Sequence, residues 1–389
     1  MTAGENNLFM KVKIQQADLT GSVRSIDVED NDRLIDKATV VFDDAFSEIT
    51  ALPQEGQTVL IDLGWGEQHA VIFEGLVARA PTMTQSVGGQ NVSIIAYDKS
   101  FQMMRSNAQS DNPLIHNPKV RNHFGKISDI LREIIRPYQI PEGQIRLDHD
   151  PSFTRAQPLR QVNLTDWQFI QDLALAYAGR AYVEYNNNRS EFYFQPESSL
   201  LQGEPMGRFR CCRGHSGLID FNYQRAASQA APTRLVASLN ERGELVSSQE
   251  PAPAPPDPPN RPGTSSRPAS GPGSGNGARI DQAIQATNPP PTSTGASQRR
   301  VEHIVGTPSD PDLPNRAALV DPTRRIGLSG TGRAAGTIQL RAKGKVVIEE
   351  IAPWAAGEWY VHVAKHIVSR TIHGREIRSN YETRFEASR

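Results

Sequence analysis

Residues 161–196 read Gln161-Val-Asn-Leu-Thr-Asp-Trp-Gln-Phe-Ile-Gln-Asp-Leu-Ala-Leu-Ala-Tyr-Ala-Gly-Arg-Ala-Tyr-Val-Glu-Tyr-Asn-Asn-Asn-Arg-Ser-Glu-Phe-Tyr-Phe-Gln-Pro196. Thr165 is placed to cap a helix, Gln168 three residues on is placed to reach back to the cap nitrogen, and Leu164 and Phe169 stand at the two positions of a hydrophobic staple. Trp167, Ile170, Leu173, Ala174 and Tyr177 recur at helical spacing, which predicts one inward apolar face, and Gly179 is expected to end the helix in the left-handed conformation. Ala181–Tyr185 and Glu191–Gln195 are aromatic and β-branched, and the turn-prone run Asn186-Asn187-Asn188-Arg189 joins them, so a tight hairpin should follow. Nothing in this unit is chemically reactive. It reads as scaffold.

Outward from it, the chain is mostly strand. Met10–Ile14, Leu34–Phe42, Val59–Leu63, Ala70–Ala78 and Val92–Tyr97 are short alternating runs broken by Gly, Pro, Asn and Asp, a pattern that suits a small barrel or sandwich. Ile127, Ile130, Leu131, Ile134 and Ile135 mark a second amphipathic helix that Pro137 helps to terminate. Strand-like runs resume at Leu218–Tyr223 and Arg234–Leu239, and again at Thr337–Leu340, Val346–Ile351, Glu358–Ser369 and Glu376–Glu386. Between them, Ser247 to Gln298 is so rich in Pro, Gly, Ser and Ala that it lacks the apolar surface to order itself. The expected class is mainly β with an α/β insert: residues 1–100 a β-domain, 101–205 the mixed insert, 206–246 and 299–389 a second β-domain, and 247–298 a tether inserted into it. No residue-level repeat links the two β-domains.

Length and charge narrow the possibilities. A chain of 389 residues exceeds what one core usually serves. Its formal charge of −1, from 42 basic and 43 acidic residues, supplies no field for nucleic acid or anionic lipid. Met1–Asn7 is polar and acidic, and no apolar run of about 18 residues follows, so neither a signal peptide nor a membrane anchor is expected. Cys211 and Cys212 are the only cysteines, and adjacent positions strain a mutual disulfide, which fits a reducing compartment during synthesis.

Each group that could carry chemistry reads better as structure. His362 and His366 would share a metal on a helix, but Trp359, Tyr360, Val361, Val363, Ile367 and Val368 favour a strand, which separates the rings by about 13 Å. Asp148-His149-Asp150 lacks a distant partner ligand. Ser216, in Gly214-His215-Ser216-Gly217, lacks the second glycine of a nucleophile elbow. Gly327, Gly330, Gly332 and Gly336 lack the lysine of a phosphate loop and read as a flexible loop. Cys211 and Cys212, between Arg210 and Arg213, would be reactive if exposed and small apolar fillers if buried. Asp27, Glu29, Asp30, Asp32, Asp43 and Asp44 lack the glycine and glutamate of a calcium loop and read as a solvated acidic face, with a channel lining or a basic partner as the alternative. No catalytic residue, cofactor site or metal site is assigned.

The unit at 161–196 resembles the central segment of tail hub proteins, the late control protein D family of contractile phages and related injection machines. Pro53–Ala78, with Gly56, Val59, Ile61 and Gly64 before Phe73-Glu-Gly75, and Val92–Met104 resemble that family's first barrel. Gly357-Glu-Trp-Tyr-Val-His-Val-Ala-Lys-His-Ile-Val and Tyr381-Glu-Thr-Arg-Phe-Glu resemble the last hairpin of its second barrel. The tract 247–298 departs from the pattern. The resemblance implies two tube-like barrels per subunit, and a homotrimeric pseudo-sixfold ring that joins a sixfold inner tube to a threefold spike. The implied partners are a trimeric spike, an inner tube or tube-initiator protein and baseplate wedge proteins. The implied location is a virion baseplate or contractile injection particle assembled in the bacterial cytoplasm, and the implied activity is none. Two rivals remain. A barrel that binds oligosaccharide or nucleic acid would use Trp65, Phe73 and Tyr97 as stacking platforms, and a cell-wall hydrolase would need a carboxylate pair that the sequence does not single out.

Overall fold

The computed structural model describes residues 8–43, 53–79, 81–86, 89–105, 120–177, 179–211, 217–225, 234–239, 245–248, 302–306, 328–373 and 376–389. The chain is mainly β with an α/β insert, as its patterning predicts. The first lobe is built on β1 (Leu8–Ile14), β2 (Val23–Asn31), β3 (Lys37–Asp43), β4 (Thr58–Trp65), β5 (Gln68–Val77) and β6 (Gly89–Asp98), with the short strands Ala17–Asp18 and Thr82–Ser86 added on β1 and β6. They pair antiparallel in the order β2-β3-β6-β5-β4-β1. Alternation sends Val12, Ile26, Val40, Phe42, Ile61 and Ile94 into one core.

The insert holds α1 (Ile127–Ile135), α2 (Asp166–Ala176) and the hairpin β7 (Gly179–Asn186) and β8 (Arg189–Pro196). Thr165 and Gln168 form the reciprocal capping box. Trp167, Ile170, Leu173 and Ala174 are buried against Ile130, Ile134, Phe192 and Phe194 in a second core. Asn187 and Asn188 both take positive φ, 49° and 64°, as a two-residue turn between right-twisted strands requires. Gly179 corrects an expectation: it is the first residue of β7, without a left-handed φ, and Tyr177 at the helix end has φ −103°. Its small size matters instead, because a Cβ there would lie 3.1 Å from the Phe194 ring and from the Gln195 carbonyl.

The second lobe contains β9 (Leu218–Arg225), β10 (Leu328–Ala335), β11 (Gly344–Glu349), β12 (Gly357–His373) and β13 (Glu376–Ser388). Its ladder runs β9-β10-β13-β12-β11, and a short strand, Arg208–Arg210, adds parallel to β11. A bridge between Cys211 and Leu218 joins that strand to β9, so the ladder returns to its start around a core built on Phe221, Trp359 and Phe385. Three expectations change here. Thr337–Leu340 is not a strand. The glycine stretch is not a loop, since Gly330 and Gly332 lie inside β10, where a Cβ on Gly330 would stand 2.5 Å from the Phe221 ring and one on Gly332 would overlap Phe385. Glycine is selected there by ring packing rather than by backbone freedom. The strand expected from Leu34 begins at Lys37, because the Asn31 side-chain oxygen accepts from the Arg33 and Leu34 amides and turns the chain first.

The two β-lobes share one hydrogen-bonded sheet. β12 is 17 residues long: its first part pairs with β11, and Val363 to Ser369 pair antiparallel with Asn31 to Ser25 of β2. A bulge at His362, opposite β13, marks the crossing between lobes. Arg234–Leu239, Leu245–Ser248 and Glu302–Gly306 form a separate three-stranded sheet. Of the tract 247–298, residues 249–298 lie outside the described residues, as do Asp44, Cys212, Ser216 and Gly327.

Candidate functional site

The most unusual chemistry lies where both lobes and the insert meet. β2 ends in Asp30 and Asn31, and Asp32 follows it; all three are buried. The turn that follows folds back so that Asp36 accepts from the Asn31 amide at 2.8 Å, and the Asp36 amide donates to Asp98, at the end of β6, at 2.7 Å. From the second lobe, the segment before β11 brings Arg341 and Lys343, the latter held at φ 66° with its amide bonded to the Val361 carbonyl. From the insert, β7 brings Arg180, Tyr182 and Glu184.

Lys343 Nζ is the centre: it lies 2.5 Å from Asp30, 3.0 Å from Asp36 and 3.3 Å from Glu184, and 5.3 Å from the centroid of the Tyr182 ring. Arg341 Nε donates to Asp30 at 2.7 Å and its terminal nitrogen pairs with Glu184, while the Ala342 amide also donates to Asp30. A second set adjoins. His362 bridges Asp32 at 3.1 Å and Ser388 at 2.6 Å, and Arg180 reaches Asp32 at 3.6 Å and pairs with Glu197.

Burial sets the charge states. It would raise Asp30, but Lys343 and Arg341 outweigh it and hold that carboxyl well below the usual range. Burial pushes Asp36 well up against the pull of Lys343, with help from Asp30, Asp98 and Glu184, and pushes Asp98 up to about 6. It would lower Lys343, yet Asp30, Asp36 and Glu184 keep the ammonium protonated far above its ordinary range. Oxygens of Asp30, Asp36 and Glu184 cluster closely enough to hold a metal ion, but the ammonium of Lys343 already bonds to all three. The arrangement fastens three bodies together. Removing one partner would strand buried charge.

The residues singled out in the sequence separate into different places. His362 and His366 both lie on β12, as expected; His362 belongs to the junction, whereas His366 is fully buried against the Tyr381 hydroxyl at 2.8 Å and is pushed down to about 3 by burial and then by Arg341. Asp150 accepts from the Ser128 amide and hydroxyl at the start of α1, and Asp148 accepts from Ser198, so this pair secures local structure. Cys211 is buried. Phe73 is buried in the first core, Trp65 packs on it with its indole bonded to the Gly336 carbonyl, and Tyr97 meets Phe101. The acidic run divides: Asp27 pairs with Lys365 and Asp43 with Arg24 at the surface, while Asp30 and Asp32 are buried, which corrects the reading of the whole run as a solvated face. Arg341, Lys343 and Glu184 carried no signal, since the bond from Asp30 to Lys343 spans 313 residues. No helix among the described residues is long and apolar enough to cross a membrane.

This fold, two β-lobes joined through one long strand together with an α/β insert, is similar to that of solved phage tail proteins. A tail protein from Neisseria meningitidis MC58 superposes with a TM-score of 0.61 over 98% of this chain and 96% of its own, at 11% identity. The 43 kDa tail protein of prophage MuSo2 from Shewanella oneidensis gives 0.58 over 98% of both chains, at 10% identity. An Escherichia coli component of the type VI secretion system, described as structurally similar to the T4 bacteriophage tail proteins gp27 and gp5, gives 0.55 over 98% of this chain and 76% of its own, at 9% identity. No protein-family model and no curated protein sequence matches the chain.

Proposed function

We propose that this protein is a structural hub of a contractile phage tail or related injection particle, a homotrimer whose six β-lobes form a pseudo-sixfold ring between a sixfold inner tube and a threefold spike. The observation that carries this reading is the fusion of two β-lobes by the β12–β2 ladder, braced by the ionic junction. Two rigidly coupled lobes per chain are what a threefold object needs to present sixfold-like symmetry. A closed ring also covers strand edges that would otherwise aggregate. The partners in this reading are the chain itself, a trimeric spike, a tube or tube-initiator protein and wedge proteins. It assigns no catalysis to the chain, and a turnover assay on cell-wall polymer that gave product would reverse that assignment.

Light scattering of the purified 42.8 kDa chain, with negative-stain imaging, is the test. A mass near 128 kDa, three times the chain, with a central hole supports the hub. A monomer that stays monomeric with candidate spike proteins sinks it.

A further inference from the structure

Trp354 is 56% exposed, an unusual state for the largest apolar side chain, and it is held rigidly. Its loop, between β11 and β12, is fixed by bonds from the Ala355 and Ala356 amides to the Ala352 carbonyl and from the Trp359 indole to the Ala355 carbonyl. The Ala352 amide donates to the hydroxyl of Tyr223, whose ring meets Trp354 edge-on at 5.4 Å and an interplanar angle of 62°. Tyr223 in turn stacks on Phe221 of the core. In an edge-on pair at least one indole face has no aromatic neighbour, so the pair presents a fixed apolar step at the end of the second lobe.

Tyr223 is also two residues from the place where the chain leaves that lobe. β9 ends at Arg225, opposite Leu328 where β10 begins, so the whole excursion 226–327 departs and returns beside the platform. Within it, twelve of the 28 prolines fall between 251 and 291, seven of them in Pro-Ala-Pro-Ala-Pro-Pro-Asp-Pro-Pro-Asn-Arg-Pro at 251–262. Proline rings set close together are stiff, apolar and poor in donors, and exposed aromatic pairs recognise them at little entropic cost. The 25 residues between Arg225 and Pro251 reach up to about 80 Å, so length does not keep the segment from the platform.

We propose that Trp354 and Tyr223 form a docking platform for the proline-rich segment 251–262 of the same chain. Tethering makes the contact intramolecular, so weak individual affinity suffices.

Iodide quenching of Trp354 emission tests this on the full-length protein, with the Trp354→Phe chain subtracted to remove Trp65, Trp167 and Trp359. The comparison is a full-length chain in which the seven prolines of 251–262 are replaced by serine. Docking predicts that quenching of Trp354 rises several-fold in the serine chain, and that a synthetic 251–262 peptide lowers it again. Wild-type protection should be unchanged on dilution. Equal quenching in the two chains overturns the proposal. So does protection that disappears on dilution, which would put another copy's segment on the platform. If the serine chain is poorly soluble, an otherwise full-length chain lacking residues 251–262 takes its place: Trp354 quenched no more strongly there than in wild type would overturn the assignment.

Discussion

Lys343 is the residue on which the most buried charge depends. It bonds to Asp30, Asp36 and Glu184, so Lys343→Met should cost about 3–5 kcal/mol in denaturant unfolding, because Asp36 loses its cation inside the protein and Asp30 and Glu184 are left to share Arg341 alone. A loss below about 1 kcal/mol would mean that water reaches the junction. Acid acts on two buried groups in opposite senses. His366 sits at about 3 when folded against 6.5 unfolded, so its contribution is complete above pH 6.5 and is lost as pH falls toward 3. Its ring faces Tyr381, Thr383, Arg341 and Asp30. Asp98 is raised from 3.8 to about 6, so the folded state binds its proton first and gains stability as pH falls from 6 to 4. Asp98 faces the amides of Asp36 and Ser100 and the charge of Lys343, and the raised Asp36 beside it acts in the same sense. Across pH 6 to 4 the two residues therefore offset each other. Urea titrations over this range should show His366→Gln becoming more stable on acidification and Asp98→Asn less stable, each by about 2–3 kcal/mol relative to wild type. Parallel profiles for the two variants would refute the assignment.

At the scale of single elements, what was legible in the sequence was local. The capping box at Thr165 and Gln168 and the positive-φ pair Asn187-Asn188 both act within four residues, so pattern alone located α2 and the β7–β8 hairpin. Thr165→Ala should cost about 1 kcal/mol and Trp167→Ala about 3–5 kcal/mol by the same unfolding measurement. The glycine stretch was misread for the opposite reason. Gly330 and Gly332 look like a loop until Phe221, Trp359 and Phe385 arrive from three other strands and need the space above them. Gly332→Val places methyls where the Phe385 ring already lies, so it should destabilise by about 1–3 kcal/mol or more, whereas a surface loop would accept valine at almost no cost. The acidic run shows the same limit: Asp27 and Asp30 look alike in sequence, and only the strand parity and the ends of two distant segments decide that one meets Lys365 at the surface and the other Lys343 inside.

For the whole molecule, the decisive fact is that the lobes are not independent. β12 belongs to both ladders, and the junction ties Asp30, Asp32 and Asp36 of one lobe to Arg341, Lys343 and His362 of the other. Two β-domains could be counted from the sequence, but their fusion could not, because a 17-residue run of strand-forming residues does not say that its two ends serve different lobes. Fusion predicts that both lobes melt together. Calorimetry of the full chain should show one transition for the β-lobes, and Lys365→Pro, at a half-exposed position in the shared part of β12, should split it. Proline removes a ladder bond to β2 or to β13, and either loss uncouples the handover. If the variant still melts in a single transition, merely shifted downward, the ionic junction alone couples the lobes. In that case Lys343→Met would have to produce the split, because a ring built from paired lobes needs some rigid link to fix the angle between them.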